Sequence, residues 1–240
     1  MTAEFRAGRT LTMLGVASAL LSSGLAGSGP ASALDCEALK TTPVPYELTI
    51  RAENRTVTRN GEAVVLPPRT EWLRVLRGEG GRVVTLLHRR DGDVPTRSHK
   101  LYYLTLDTTL PSGERTTFVQ EGRPDHDPVA RKEDFTEIHT VEEPGRPPRR
   151  RRMEARFVGE DVAEIGPCRF TVHRYRAILY ADPSPDGAPL SETTVDYAPE
   201  LLIPVRHVAT SPVVTQTRIA TGITTDLSPL PEPASKPGEP

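Results

Sequence analysis

The sequence predicts a mainly β protein, either a single antiparallel curved sheet or a half-open β-barrel, with at most one or two short helices. Three observations lead there. Turn signals recur at short intervals, at Asn60-Gly61, Gly78 to Gly81, Asp91-Gly92, Pro111-Ser112-Gly113, Pro144-Gly145 and Asp186-Gly187. Glycine supplies the positive φ that tight hairpins need. The stretches between these signals are rich in β-branched and aromatic residues, which suit a pleated surface. Finally, 24 prolines in 240 residues leave little room for a long-helix bundle or a polytopic membrane protein.

Taken in order, strand character appears at Tyr46 to Val57, Trp72 to Leu76, Arg82 to His88, Lys100 to Leu106, Thr116 to Val119, Cys168 to Tyr180, Thr193 to Tyr197 and Leu202 to Val208. In Tyr46-Glu47-Leu48-Thr49-Ile50-Arg51-Ala52 every second residue is apolar, so one face is buried and the other meets water. Lys100 to Leu106 carries apolar groups on both faces and reads as a central strand covered on both sides. In Cys168 to Tyr180 the apolar set shifts phase after Val172, which predicts a bulge near His173 or Arg174. Asp127-Pro128 reads as an N-cap followed by proline at the first helical position, and predicts one short surface helix over Val129 to Glu137. Glu143 to Met153 combines prolines with like charges and reads as a solvated loop. Leu227 to Pro240 holds five prolines and few apolar side chains, so a disordered tail is expected.

Arg6 and Arg9 precede an apolar run from Leu11 to Leu25, followed by Ala31-Ser32-Ala33. A charged head, a short apolar middle and a small-x-small exit make a secretory signal peptide over residues 1–33. The run is interrupted by Ser, Thr and Gly and falls short of the roughly 20 residues of a spanning helix, so no integral span is expected in the mature chain. Asp35 occupies the position before Cys36 where a lipoprotein signal carries a small residue, which argues against lipidation there. The organisation expected is a leader (1–33), one β-rich domain (34–226) and a Pro-rich tail (227–240), in the periplasm or secreted.

The only cysteines, Cys36 and Cys168, are expected to form one disulfide, since an oxidising compartment favours it. The bridge would tie an N-terminal segment onto the strand beginning at Cys168.

A net charge of -2 removes the electrostatic argument for a nucleic-acid partner. None of the six histidines of the mature chain stands in HExxH or at zinc-ligand spacing from a cysteine, so no metal and no cofactor is expected. Asp125-His126-Asp127 reads as a solvated loop. There is no G-x-S-x-G elbow and no phosphate-cradling glycine loop, so no catalytic residue is assigned. The strongest electrostatic feature is Arg149, Arg150, Arg151 and Arg152 with Arg146 nearby, a candidate anion- or partner-binding set because guanidinium forks match phosphate and carboxylate.

The most distinctive stretch is Tyr197-Ala198-Pro199-Glu200-Leu201, followed by Pro204-Val205-Arg206. It resembles a Tyr-x-Pro-Glu-Leu…Pro-Val-Arg signature near the C-terminal end of exported bacterial β-domains of unknown function, including ones similar to the lipoprotein-carrier half-barrels. The resemblance implies a curved sheet whose concave face holds an acyl chain or contacts a partner. The sequence departs from that pattern in lacking obvious helices to plug the concavity and in having few large aromatics. Tyr197, Glu200 and Arg206 read alternatively as a structural corner held by a tyrosine hydroxyl and an ion pair. The function expected is a non-catalytic cell-envelope protein that binds a lipid, another hydrophobic ligand or an envelope protein on its sheet. The alternatives are a hydrolase-like enzyme with a dispersed site and a purely structural module.

Overall fold

The computed structural model describes residues 34–57, 63–89, 93–122, 126–184 and 186–231. The expected leader, the Asn60-Gly61 turn, Asp91-Gly92 and most of the Pro-rich tail lie outside them. The described chain opens with a short helix α1 (Cys36–Thr41), capped by Asp35, whose Oδ1 accepts from the Glu37 and Ala38 N–H groups at 3.0 Å. Twelve strands follow: β1 (Tyr46–Val57), β2 (Ala63–Arg77), β3 (Arg82–His88), β4 (Thr96–Leu101), β5 (Leu104–Thr109), β6 (Arg115–Gln120), β7 (Phe135–Glu142), β8 (Arg149–Ile165), β9 (Cys168–Tyr180), β10 (Pro189–Ala198), β11 (Ile203–Thr210) and β12 (Val214–Thr224).

Each strand pairs antiparallel with its chain neighbours, and β12 returns to pair with β1 from Glu47↔Thr224 to Thr56↔Val214. The sheet is therefore a closed barrel, which corrects the half-open expectation: β12 covers the edge that β1 would otherwise leave free. Register shifts at Thr49/Ile50, His99/Lys100, Phe157/Gly159 and Asp196/Tyr197 supply the local curl that closure requires.

Two local readings change. Lys100 to Leu106 is two strands, because Tyr102 adopts φ 53 and turns the chain, its N–H donating to the Gly81 carbonyl at 2.7 Å. Gly81 (φ 73) lies under the Tyr102 ring, where an added Cβ would stand 2.1 Å from Cε1. Gly81→Ala is therefore expected to destabilise the fold by about 2 kcal/mol, read as a lower urea midpoint at unchanged slope. Asp127 caps only a single turn, through Val129 N–H to Asp127 Oδ1 at 3.0 Å, and β7 starts at Phe135 in place of the predicted helix. The low apolar content of Val129 to Glu137 gives a helix no face to bury there.

The β8–β9 hairpin outruns its neighbours. β8 pairs with β7 only over Arg149–Ala155, and β9 pairs with β10 only as far as His173. The distal part curls over to bury Ile165, Cys168, Phe170 and Val172 with Leu39, Tyr46, Leu48, Leu201 and Ile203 in the larger core. The buried face of β9 does switch, between Val172 and His173, but β9 itself carries no insertion. The extra residue is Val158, 61% exposed, on the partner strand β8. The Cys36–Cys168 disulfide forms and fastens α1 to this hairpin.

Candidate functional site

In an antiparallel meander, alternate turns lie at opposite ends of the barrel, and residues paired across strands share a face. At one end stand α1, the hairpin tip, the 126–134 segment and the 198–203 corner; this end is packed. His173 Nδ1–H donates to the Val129 carbonyl at 2.8 Å, Tyr175 Oη donates to the Pro128 carbonyl at 3.2 Å, and Tyr197 Oη donates to Asp127 Oδ2 at 3.2 Å. Val129 is thereby held as a stopper, 4% exposed. Burial raises the Asp127 carboxyl above the usual carboxylate range, against the Ala130 and Val129 N–H groups and the Tyr197 hydroxyl that pull it down. Asp127 is therefore buried rather than solvated; its neighbour His126 contacts Glu133 at 2.7 Å, and Asp125 lies outside the described residues.

Above the stopper the lumen contains two cavities that meet at Pro204 and His207. The first, of about 240 Å³, is walled by Phe135, Met153, Tyr175, Leu179, Val195 and Tyr197. Its aromatic rings are mutually packed, Phe135–Tyr175 at 5.9 Å and Tyr103–Phe135 at 4.6 Å between centroids. The second, of about 290 Å³, has Ile50, Leu73, Leu87, Val205 and Ala220 on its wall together with Lys100, Arg218 and His207. Each is near the lower end of ligand-pocket volumes, and together they make one largely apolar space, partly open to solvent.

The outer wall is the opposite. The positions alternating with the cavity lining carry Arg51, Arg150, Arg174, Arg176, Glu192 and Asp196. They are joined in pairs such as Arg174–Asp196 at 2.7 Å and Arg176–Glu192 at 2.6 Å. These positions are charged, where a transmembrane barrel presents apolar residues in its outer band. Among the described residues, no helix is long and apolar enough to cross a membrane.

The arginine run belongs to β8 and not to a loop, so its members alternate. By register with Val141 and His139, Arg149 and Arg151 share the face of Met153 and Ala155 toward the lumen, while Arg150 and Arg152 point outward. Arg150 pairs with Glu121, Arg152 lies 4.3 Å over the Tyr180 ring, and Arg146 and Arg149 both reach Glu143. Arg151 has no carboxylate within ion-pair distance among the described residues. Burial, and then Arg149, lower its proton affinity.

Tyr197, Glu200 and Arg206 do not come together. Tyr197 turns to Asp127, and Arg206 pairs with Asp196 at 3.5 Å on the outer wall. The corner is held by other residues: Tyr46 Oη donates to the Leu201 carbonyl at 2.6 Å and Arg77 Nη1 to the Glu200 carbonyl at 2.7 Å.

Sequence reasoning missed the lumen's ionisable groups. Glu71 is fully buried on the inner face among Arg69 (2.8 Å), Arg218 (3.1 Å) and Arg89 (3.6 Å). Three cations face one anion there, and Lys100 adds a fourth positive charge nearby. Burial, and then Arg218, push the Lys100 ammonium down to about 8; burial, Arg218 and Lys100 lower His207.

No family model and no curated protein matches the sequence. Among solved structures, the chain is similar to the hypothetical lipoprotein YmcC from Escherichia coli. That likeness has 11% identity and a TM-score of 0.43, covering 80% of this chain and 89% of that one. The chain is also similar to the LolA superfamily protein NE2245 from Nitrosomonas europaea, with 7% identity and a TM-score of 0.32, covering 81% and 91%. At these identities the likeness concerns the course of the chain alone.

Proposed function

We propose that this chain is an exported, non-catalytic envelope protein that carries a hydrophobic ligand inside its barrel. The observation that carries the reading is an apolar, aromatic-walled lumen enclosed by a charged outer wall. Apolar side chains placed inward around unfilled space favour an apolar guest, whose transfer from water contributes roughly 25 cal/mol per Å² buried. The site is thus the lumen rather than the open face of a curved sheet. Export is supported by the leader pattern over residues 1–33 and by the disulfide, which persists in oxidising compartments. Within the arginine set, anion binding falls to Arg151, which faces the lumen without a carboxylate partner among the described residues.

The test is titration of the purified mature protein with a neutral fluorescent probe, N-phenyl-1-naphthylamine. Wild type is expected to bind it with blue-shifted emission. Ala177→Trp, which fills the aromatic-walled cavity from a position 9% exposed, is expected to weaken binding tenfold or more while circular dichroism stays β-type. No binding by wild type, or undiminished binding by the folded variant, refutes the reading.

A further inference from the structure

The second cavity is built differently from the first. Lys100 from β4, His207 from β11 and Arg218 from β12 converge on its wall, among Ile50, Leu73 and Val205. Among the described residues, no carboxylate lies within ion-pair distance of Lys100, and buried His207 Nδ1 has no hydrogen-bond partner. Arg218 reaches Glu71 at 3.1 Å, but Arg69 already meets that carboxylate at 2.8 Å, so Glu71 does not neutralise the group. A partly buried ammonium without a carboxylate partner and an orphaned imidazole nitrogen are each unfavourable in an empty lumen. An arriving anion would offset both, since it accepts from all three donors.

We propose that this cavity receives the anionic headgroup of a single-chain amphiphile, a carboxylate held by Lys100, Arg218 and His207 Nδ1–H. Its aliphatic tail passes Pro204 into the aromatic-walled cavity. The inference rests on the carrier reading above and adds the chemistry of the ligand's polar end. It explains why a lumen with apolar walls retains partly buried cations at all. Hydrophobic residues of similar volume would relieve the desolvation penalty, so their absence here calls for a charged guest.

Competition against the neutral naphthylamine probe separates the two claims. Laurate and 1-dodecanol share a tail and differ in headgroup, and acetate supplies the carboxylate without a tail. Laurate is expected to displace the probe at least tenfold more tightly than dodecanol at pH 7, with acetate ineffective at millimolar concentration. Lys100→Met is expected to reduce that preference severalfold, and Lys100→Arg to restore it. Equal displacement by laurate and dodecanol in wild type overturns the headgroup assignment while leaving the carrier reading intact, and needs no variant to fold. Displacement by acetate alone, or a laurate preference that survives Lys100→Met, also overturns it. Failure of the probe to bind at all removes both.

Discussion

Replacing both Cys36 and Cys168 with serine is expected to lower the unfolding free energy by about 5 kcal/mol, the largest effect of any substitution considered. The bridge spans 132 residues, and in the chain-entropy description a closed loop of that length removes much of the freedom of the unfolded polypeptide. The native state loses more than a crosslink. Leu39 on α1 is fully buried against the hairpin-side core, and Arg77 Nη2 donates to the Leu39 carbonyl at 3.0 Å and to the Thr42 carbonyl. A six-residue helix is too short to persist alone, so α1 is held by these contacts and by Cys168. Urea unfolding of the oxidised protein and the double variant measures the difference. Hydrogen exchange is expected to place the largest loss of protection in α1 and the distal β8–β9 hairpin. A loss below about 1 kcal/mol would mean that the packing of Leu39, Tyr46 and Phe170 alone secures this end of the barrel.

The strands Tyr46–Val57 and Cys168–Tyr180 were legible because apolar and polar residues alternate along much of their length, and Arg82–His88 because β-branched and other apolar side chains dominate it between turn signals. β8 was not legible. Its inward positions hold Arg149, Arg151, Met153 and Ala155 and its outward ones Arg150, Arg152 and Glu154, so the period-2 contrast vanishes. β12 was hidden for a related reason: Val214–Thr224 is rich in threonine, which suits strand and loop alike, and a Pro-rich segment follows it. Without β8 and β12 the sheet reads as open, so closure was lost along with them.

The candidate site was less legible than the fold. Lys100, His207 and Arg218 lie far apart in the chain, and only the closed register places them on one wall. No local spacing can report such a group. One signal was present: Lys100 begins the segment that carries apolar residues on both faces, and a lysine in a strand covered on both sides requires an explanation. The arginine run gave the opposite lesson. Adjacency along the chain suggested a single patch, but strand geometry sends alternate members to opposite faces.

In the absence of ligand, stability is expected to rise by about 2 kcal/mol between pH 7 and 9.5, contrary to the usual decline on the alkaline side, and Lys100 is the cause. Its ammonium is held at about 8 in the folded barrel, against 10.5 for the free side chain. Below pH 8 both states carry the proton, and the folded state bears the full desolvation penalty of the charge. Between about 8 and 10.5 the unfolded chain still binds the proton that the folded chain has released, so raising the pH favours folding. Tyr46 opposes this only at higher pH. Burial raises its phenol, so stability falls once unfolded tyrosines ionise above about 10, and the window from 7 to 9.5 isolates Lys100. Lys100→Met is expected to be more stable than wild type at pH 7, by up to about 3 kcal/mol, and to lose the alkaline rise. Urea midpoints across this window decide the matter, and an unchanged pH profile in the variant would assign the rise to another group. The same titration links stability to ligand chemistry. A bound carboxylate favours the protonated ammonium, so saturating laurate is expected to flatten the rise in wild type while dodecanol leaves it in place. A lysine that weakens the empty barrel and strengthens the filled one has its counterpart in the ligand rather than in the protein.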